Sequence, residues 1–180
     1  KNKARLILLN KSDLSDSRQN KLWMEYFKKQ GIHALEINSK NGSGIKAIHG
    51  VVQEACKEKI ERDKSRGYVN KPIRVMVCGI PNVGKSSFIN KLYGKSAAVT
   101  GDSPGVTRGK QWITLKNGFE LLDTPGILWP KFEDKEAALR LAYTGAIKDD
   151  VLDVEELCSY LCAFLRRRRR RFLQPSRRNI

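Results

Sequence analysis

The sequence predicts an α/β protein in which strands alternate with helices. Short, nearly continuous apolar runs at residues 4–9, 33–37 and 73–78 are typical of buried parallel strands, and segments with helical periodicity follow them along the chain. A glycine-bearing loop joins the third run to its helix. This alternation favours a sheet covered by helices. With 180 residues, the chain has the length of one ordinary domain.

The first half of the chain leads up to a linker at residues 67–72. Residues 20–30 have the periodicity of a helix, which Gly31 ends. After the strand at 33–37 and a turn, we expect a single amphipathic helix from Ile45 to about Lys64. Its apolar stripe consists of Ile45, Ile48, Val52, Cys56 and Ile60.

The second half begins with the third strand, its loop and a helix, which are predicted at residues 73–78, 79–85 and 86–93. Residues 110–115 and 119–122 predict a hairpin, because the dipeptide Asn117-Gly118 between them favours tight turns. Residues 136–146 and 154–165 have the periodicity of helices. The elements therefore continue to about residue 165.

Positive charge dominates the composition and is unevenly spread. The net charge is +16, and eight of these charges lie at residues 166–180, which contain no acid. Residues 1–165 keep a net charge of +8, so the body of the chain is basic by itself. We expect an anionic partner, of which nucleic acid is the commonest. The composition of residues 166–180 predicts a disordered basic tail.

The hydropathy, the cysteines and the histidines indicate neither a membrane protein nor a protein held together by disulfides or a metal. No apolar run approaches the ~20 residues that span a bilayer, so we expect a soluble, cytoplasmic protein without a membrane partner. The four cysteines lack zinc-type spacing and indicate neither disulfides nor a metal site. Cys158 and Cys162 share a face of a predicted helix, and we expect them to be buried. We expect structural roles for His33 and His49.

Residues 79–86 read Gly-Ile-Pro-Asn-Val-Gly-Lys-Ser and fit the phosphate-loop pattern G-x-x-x-x-G-K-S/T. A strand precedes the loop and a helix follows it, which is the context that the motif requires. The glycines let N–H groups and the helix N-terminus face an anion. Lys85 would reach the β- and γ-phosphates, and the Ser86 hydroxyl would bind Mg²⁺. We expect further phosphate contacts from Pro81, Asn82, Val83, Gly84 and Ser87.

Residues 10–13 read Asn-Lys-Ser-Asp and fit N-K-x-D, although so short a match also describes a solvated turn. The Asp13 carboxylate can accept two parallel N–H bonds, which guanine offers and adenine does not. The Lys11 stem would cover the base, and Asn10 would tie this loop to the phosphate loop. A guanine pocket would be completed through backbone N–H groups by Asn38, Ser39 and Lys40.

Residues 123–126 read Asp-Thr-Pro-Gly and follow a strand, as D-x-x-G does beside a phosphate loop. Asp123 would then hold the Mg²⁺ shell, and the Gly126 N–H would touch the γ-phosphate. Thr107 lies 21 residues after the phosphate-loop serine and is the preferred second hydroxyl on Mg²⁺. A neighbouring glycine would let its loop approach closely. Thr100 remains the alternative.

Taken together, these motifs resemble those of P-loop GTPases, but in a different order. Most such proteins have the phosphate loop first, whereas here residues 10–13 and 38–40 precede it. This order is similar to that of the circularly permuted GTPases. The stretches 123–132 (Asp-Thr-Pro-Gly-Ile-Leu-Trp-Pro-Lys-Phe) and 144–148 (Thr-Gly-Ala-Ile-Lys) resemble the ribosome biogenesis GTPase A branch, the YlqF type. The resemblance covers roughly residues 4–165.

The resemblance implies a P-loop NTPase three-layer sandwich with a circularly permuted G domain at residues 1–135. Its guanine-binding part would be residues 1–66, and its phosphate-binding and switch part residues 73–135. A truncated helical region would begin at residues 136–165, followed by the basic tail at 166–180.

The same resemblance implies an enzyme that hydrolyses GTP to GDP and phosphate and assists assembly of the large ribosomal subunit. Lys85, Thr107 and Gly126 would act in catalysis, with Mg²⁺ as cofactor and a K⁺ ion supported by Asn82. Partners would be the large-subunit precursor and rRNA, and we expect no DNA. Two alternatives remain open: a permuted GTPase of small-subunit assembly, and an RNA-binding module with a non-hydrolysing nucleotide site.

The chain differs from this family at both ends. The family's carboxy-terminal helical domain is longer, whereas here it stops near Leu165 and gives way to residues 166–180. The chain begins at Lys1 rather than at a methionine, and the family has a preceding segment with a histidine proposed to help catalysis. In the usual sheet, a strand lies between those that end at Gly79 and Asn10, and in permuted order it would precede Lys1. Ile127 occupies the position of a water-orienting glutamine. We therefore expect a marginally stable fragment that turns GTP over slowly by itself.

Overall fold

A computed structural model describes residues 3–69, 71–94, 111–115, 118–128, 133–147, 150 and 152–173. The chain divides into two compact units, Lys1–Leu128 and Trp129–Ile180. Among the described residues, no helix combines the length and the apolar character that crossing a membrane requires.

The first sheet of the larger unit consists of two parallel strands, β1 (Leu6–Leu9) and β2 (His33–Glu36). Helix α1 (Ser17–Lys29) connects them and packs against β2. It begins earlier than predicted because Asp16 caps it: the Asp16 carboxylate accepts a hydrogen bond from the Arg18 N–H at 2.8 Å. His33 begins β2, as the structural interpretation of this histidine expects.

The single helix predicted from Ile45 to about Lys64 is wrong, because two helices occupy this segment. Helix α2 (Ile45–Ala55) ends at Cys56, and helix α3 (Lys57–Ser65) starts directly after it. Ile48 and Val52 hold α2 in the core, whereas α3 has no buried residue. Packing therefore fixes the direction of α2 but not that of α3. His49 of α2 contacts the ring of Phe119, 4.9 Å between ring centroids, which is a structural role.

The second sheet has three strands, β3 (Ile73–Val77), β4 (Gln111–Thr114) and β5 (Phe119–Asp123), in the order β3-β5-β4. Strands β3 and β5 are parallel, and β4 and β5 form the predicted antiparallel hairpin. Helix α4 (Lys85–Tyr93) follows β3 and contacts β5. Among the described strands, β1 and β3 do not pair. The five strands of the described residues form two separate sheets.

The core of the larger unit lies between one face of the β3-β5-β4 sheet and the helices α2 and α4. Its buried residues are Ile37, Ile48, Val52, Phe88, Ile89, Ile113, Leu115, Phe119 and Leu121. Among the described residues, the opposite face of the same sheet is open: Met76 is 63% exposed and Trp112 is 56% exposed. Burial of one face only limits the free energy of unfolding that this sheet can contribute.

The smaller unit contains helices α5 (Lys135–Tyr143) and α6 (Val154–Leu173). Two hydrogen bonds join them: Lys135 Nζ donates to the Tyr160 hydroxyl at 2.8 Å, and the Tyr143 hydroxyl donates to the Leu157 carbonyl at 3.2 Å. The bond to Tyr160 raises the pKa of Lys135.

Helix α6 contradicts two predictions. It continues to Leu173, so the expected disordered tail is wrong for residues 166–173. Arginine is a good helix former, and cations are favoured near a helix C-terminus, which together outweigh the repulsion between neighbouring arginines. Cys158 and Cys162 are exposed rather than buried. Helical periodicity gave them a common face, but it could not show whether another element covers that face.

Candidate nucleotide-binding site

The phosphate loop lies between β3 and α4, as the motif predicts. Gly84 is the N-cap of α4 and has a φ of 93°, a conformation that favours glycine. A Cβ at this position would come within 2.5 Å of the Asn10 Nδ2 atom, so the position also requires glycine for space. Asn82 has a φ of 56° although it is not glycine. The first turn of α4 contains Ser86 and Ser87.

Lys85 folds back over this loop. Its Nζ atom donates hydrogen bonds to the carbonyls of Gly79 at 3.2 Å and Ile80 at 2.9 Å. Burial lowers the pKa of Lys85, and the nearby Asp123 carboxylate and Cys78 partly offset this by favouring the ammonium form. A cation held in this way is placed to attract phosphate oxygens.

The Asp-Thr-Pro-Gly segment lies against the phosphate loop. Asp123 ends β5, is 1% exposed, and pairs with Val77 in the parallel ladder just before the loop begins. The Thr124 hydroxyl donates to the Val77 carbonyl at 2.7 Å. A Cβ on Gly126 would lie 2.7 Å from three atoms of Pro81, which shows how closely the two loops approach.

The donor set at this point suits a hard cation. Asp123 supplies a buried carboxylate, and Ser86 supplies a hydroxyl in the first turn of α4. Carboxylate and hydroxyl oxygens are the ligands that Mg²⁺ prefers. These residues therefore fit the predicted Mg²⁺ site. Thr107 and its alternative Thr100 lie outside the described residues, as do residues 129–132 and 148 of the stretches that resemble YlqF.

Asn10 joins the base-reading loop to the phosphate loop. Its Nδ2 atom donates to the Val83 carbonyl at 2.9 Å. Its Oδ1 atom accepts two hydrogen bonds from Ser39, one from the backbone N–H at 3.1 Å and one from the hydroxyl at 2.9 Å. The prediction that Asn10 ties the two loops is confirmed. One side chain brings together three segments that are far apart in sequence.

The loop after β2 is tightly folded around Asn38, which is buried. The Asn38 Oδ1 atom accepts hydrogen bonds from the backbone N–H groups of Lys40 at 2.8 Å and Asn41 at 3.2 Å. The Asn38 N–H donates to the Ser43 carbonyl at 3.0 Å. The N–H groups of residues 38–40, which were expected to face a base, therefore all donate hydrogen bonds within the chain. A base could accept a hydrogen bond from one of them only if the internal bond were shared or broken.

Lys11 and Asp13 lie on the exposed side of the base-reading loop. Lys11 has a φ of 56°, a turn conformation that is uncommon for lysine. The Ser12 N–H donates to the Ile37 carbonyl at 3.2 Å and fixes the loop to the end of β2. Asp13 and Lys40 are both exposed, so their charged groups are accessible to a ligand.

The sequence motifs missed two residues that hold the site together. Thr124 occupies an undefined position of the D-x-x-G motif, and Ile127 directly follows the motif. The Ile127 N–H donates to the Gly79 carbonyl at 3.1 Å, and the Thr124 hydroxyl donates to the Val77 carbonyl at the end of β3. A signal for Thr124 existed, because a threonine directly after a strand-ending aspartate can reach a neighbouring carbonyl. No side-chain signal could have indicated a backbone bond from Ile127.

Comparison with known proteins now identifies the family. The profile of a family described as 50S ribosome-binding GTPase matches residues 74–170. The chain belongs to this GTPase family. Ribosome biogenesis GTPase A of Priestia megaterium is 51% identical over 166 residues, which cover 91% of this chain and 57% of that protein. This chain therefore spans little more than half the length of that curated relative.

Solved structures of the same GTPase family support the fold. GNP-bound YlqF from Thermotoga maritima superposes with a TM-score of 0.59 and 31% sequence identity, covering 96% of this chain and 61% of that chain. GDP-bound YlqF superposes with a TM-score of 0.54 and the same identity, covering 84% of this chain and 55% of that chain. The predicted α/β P-loop fold and the predicted resemblance to YlqF are both confirmed.

Proposed function

We propose that this chain binds guanine nucleotides and hydrolyses GTP to GDP and phosphate. One observation carries the proposal: Asn10 bonds both to Val83 in the phosphate loop and to Ser39 in the loop after β2. The base-reading loop and the phosphate loop therefore lie on one surface, as a nucleotide with a base at one end and phosphates at the other requires. Named relatives and the matched family are GTPases, which supports the same conclusion.

Different residues of this surface bind the base, the phosphates and Mg²⁺. Asp13 accepts hydrogen bonds from the guanine edge, and the Lys11 stem covers the face of the base. Lys85 holds the β- and γ-phosphates, together with the N–H groups of residues 82–87 in the phosphate loop and the first turn of α4. Asp123 and Ser86 hold Mg²⁺, with Thr107 as the proposed third protein ligand. Mg²⁺ neutralises charge on the phosphate oxygens when it is bound.

Hydrolysis by the isolated chain is expected to be slow. The Gly126 N–H stabilises negative charge on the γ-phosphate, but Ile127, the next residue, has no polar side chain to orient water. A K⁺ ion supported by Asn82 would add positive charge near the β- and γ-phosphates. We propose that the ribosomal partner raises the rate by completing the arrangement around the attacking water.

We further propose that the cellular partner is the precursor of the large ribosomal subunit, with rRNA as the ligand of the basic surface, in the cytoplasm. The net charge of +16 and the description of the family as 50S ribosome-binding support this proposal. Relatives named ribosome biogenesis GTPase A support it as well.

Measurements of binding and turnover with ribosomal subunits test the proposal. GTP and GDP should bind in the presence of Mg²⁺, and ATP should bind about 100-fold more weakly, because adenine lacks the donor pair that Asp13 reads. Large subunits should raise GTP turnover, and small subunits should not. Stimulation by small subunits alone would indicate the small-subunit alternative. Tight GTP binding without turnover under either condition would indicate an RNA-binding module.

A further inference from the structure

A cleft lies beside the start of β2, lined by residues of α1 and by residues 31–34. Its volume is about 480 Å³, and α1 forms one wall while the chain that enters β2 forms the other. Met24, Ile32 and Ala34 give it an apolar lining. The cleft is at the start of β2, whereas the loop of the proposed nucleotide site follows the end of that strand. The cleft is therefore separate from the nucleotide site.

The edge of β2 offers backbone hydrogen-bonding groups to this cleft. In a parallel pair, alternate residues turn their N–H and C=O groups toward the partner strand. The Ile37 N–H donates to the Leu9 carbonyl at 3.0 Å, so Ile37 and Leu35 belong to the set that faces β1. Ala34 belongs to the outward set. Within the described part of the chain, β1 is the only strand that pairs with β2.

The open stretch of this edge is short. At its far end, Gly44 packs against the Glu36 carbonyl so closely that no Cβ would fit. At its near end, the Ile32 N–H already donates to the Phe27 carbonyl at 2.9 Å. Between these points there is room to pair roughly three residues of an extended chain. Side-chain contacts in the cleft must supply most of the specificity.

The charges around the cleft determine which chain would fit. Lys21 and Lys28 line it from α1, about two helical turns apart, and both are exposed. Glu25 is the single acidic residue of the lining, and His33 lies opposite on the strand. The lining therefore carries a net positive charge around an apolar floor.

We propose that this cleft binds an extended acidic peptide segment of a partner protein, which adds to the edge of β2. The Ala34 N–H and C=O pair with its backbone, an apolar side chain rests on Met24 and Ile32, and acidic side chains approach Lys21 and Lys28. A polypeptide fits better than RNA, because a strand edge and an apolar floor match a peptide backbone and its alternating side chains. RNA binding draws chiefly on phosphate contacts.

Fluorescence anisotropy with a labelled heptapeptide of alternating glutamate and valine tests this proposal on the 180-residue chain. The peptide should bind, and an alternating lysine–valine peptide should not. Lys28→Glu should weaken binding roughly five-fold. Lys29→Glu is the matched control, because Lys29 is the next residue in the last turn of α1 and does not line the cleft. It should change the affinity less than about two-fold.

Amide hydrogen exchange gives an independent readout. Saturating peptide should slow exchange of the Ala34 N–H, because that group becomes paired with the added strand. Equal affinity of the peptide for the Lys28→Glu and Lys29→Glu variants would overturn the proposal, as would unchanged exchange at Ala34. If an RNA octanucleotide binds and depends on Lys28 while the peptide does not bind, the cleft is an RNA site and the proposal fails.

Discussion

Asp13 is the residue on which the choice of base should depend. Asp13→Asn replaces a carboxylate oxygen with an amide that donates toward the guanine donors. We expect GTP affinity to fall by the equivalent of about 2–5 kcal/mol and affinity for xanthosine triphosphate to rise. Asp16→Asn is the control, because asparagine keeps the N-cap of α1. Isothermal titration with both nucleotides checks this, and an unchanged GTP affinity would mean that residues 10–13 are only a turn.

Gly126 should matter more for the triphosphate than for the diphosphate. A Cβ at this position meets Pro81, so the Gly126 loop must move away from the phosphate loop to accommodate it. We expect Gly126→Ala to weaken a GTP analogue at least about ten-fold and GDP much less, because only the triphosphate reaches this loop. Gly50→Ala serves as the control, since Gly50 lies on α2 with open space around it. Equal losses for both nucleotides would contradict a γ-phosphate contact.

Lys85 should make nucleotide binding depend on pH. Burial lowers the pKa of Lys85 in the free protein below its ordinary value of 10.5. Phosphate groups favour the ammonium form, so the pKa is higher in the complex than in the free protein. Between these two values the complex binds more protons, so binding takes up a proton and affinity falls as pH rises.

Titration calorimetry at alkaline pH, in two buffers of different ionisation enthalpy, measures this proton uptake. Lys85→Arg should abolish it, because arginine stays charged throughout the range. Uptake that persists in this variant would assign the proton to another group.

At the scale of elements, the two sides of the β3-β5-β4 sheet should respond differently to the loss of side-chain volume. Leu121 is 2% exposed in the core, and Met76 is on the open face. We expect Leu121→Ala to lower the free energy of unfolding by about 2–5 kcal/mol and Met76→Ala by less than about 1 kcal/mol. Urea denaturation of both variants measures the difference. Similar costs would show that the face of Met76 is covered in solution.

The sequence predicted helices, strands and loops correctly where their formation depends on residues next to one another in the chain. The apolar runs located β1, β2 and β3, and the glycines located the loop before α4, because strand burial and a tight loop affect the choice of adjacent residues. The break at Cys56 and the exposure of Cys158 left no such mark. They depend on which element packs against the helix, and helical periodicity cannot show that.

In the candidate site, too, some contacts could be predicted from the sequence and others could not. Asn10 was predicted to tie two loops because its motif fixes a side chain with both a donor and an acceptor. That the N–H groups of residues 38–40 are donated within the chain could not be predicted. The partners of the Asn38 and Lys40 N–H groups come from the turn that Asn38 builds with its own neighbours, and the partner of the Ser39 N–H is the Asn10 side chain. A three-residue motif specifies neither.

At the scale of the whole molecule, charge should set the strength of RNA binding. RNA affinity should fall with salt, with a slope proportional to the number of phosphates contacted. Deletion of residues 166–180 should reduce this slope without abolishing binding, because the remaining residues keep a net charge of +8. Filter binding at several salt concentrations tests this. Replacing the eight arginines with glutamine keeps the length and should have the same effect. Complete loss of binding would place the RNA site wholly within residues 166–180.

The separation of the strands into two sheets has a consequence for affinity. The base-reading loop follows β1 and the phosphate loop follows β3, and Asn10 links these loops although their strands do not pair. A nucleotide that spans both loops is in effect a bivalent ligand, whose affinity depends on the effective concentration of one loop at the other. Asn10→Ala would lower that effective concentration by removing the bond to Val83, while leaving Asp13 and Lys85 in place. Affinity for the whole nucleotide would then fall far more than affinity for guanosine or for pyrophosphate alone.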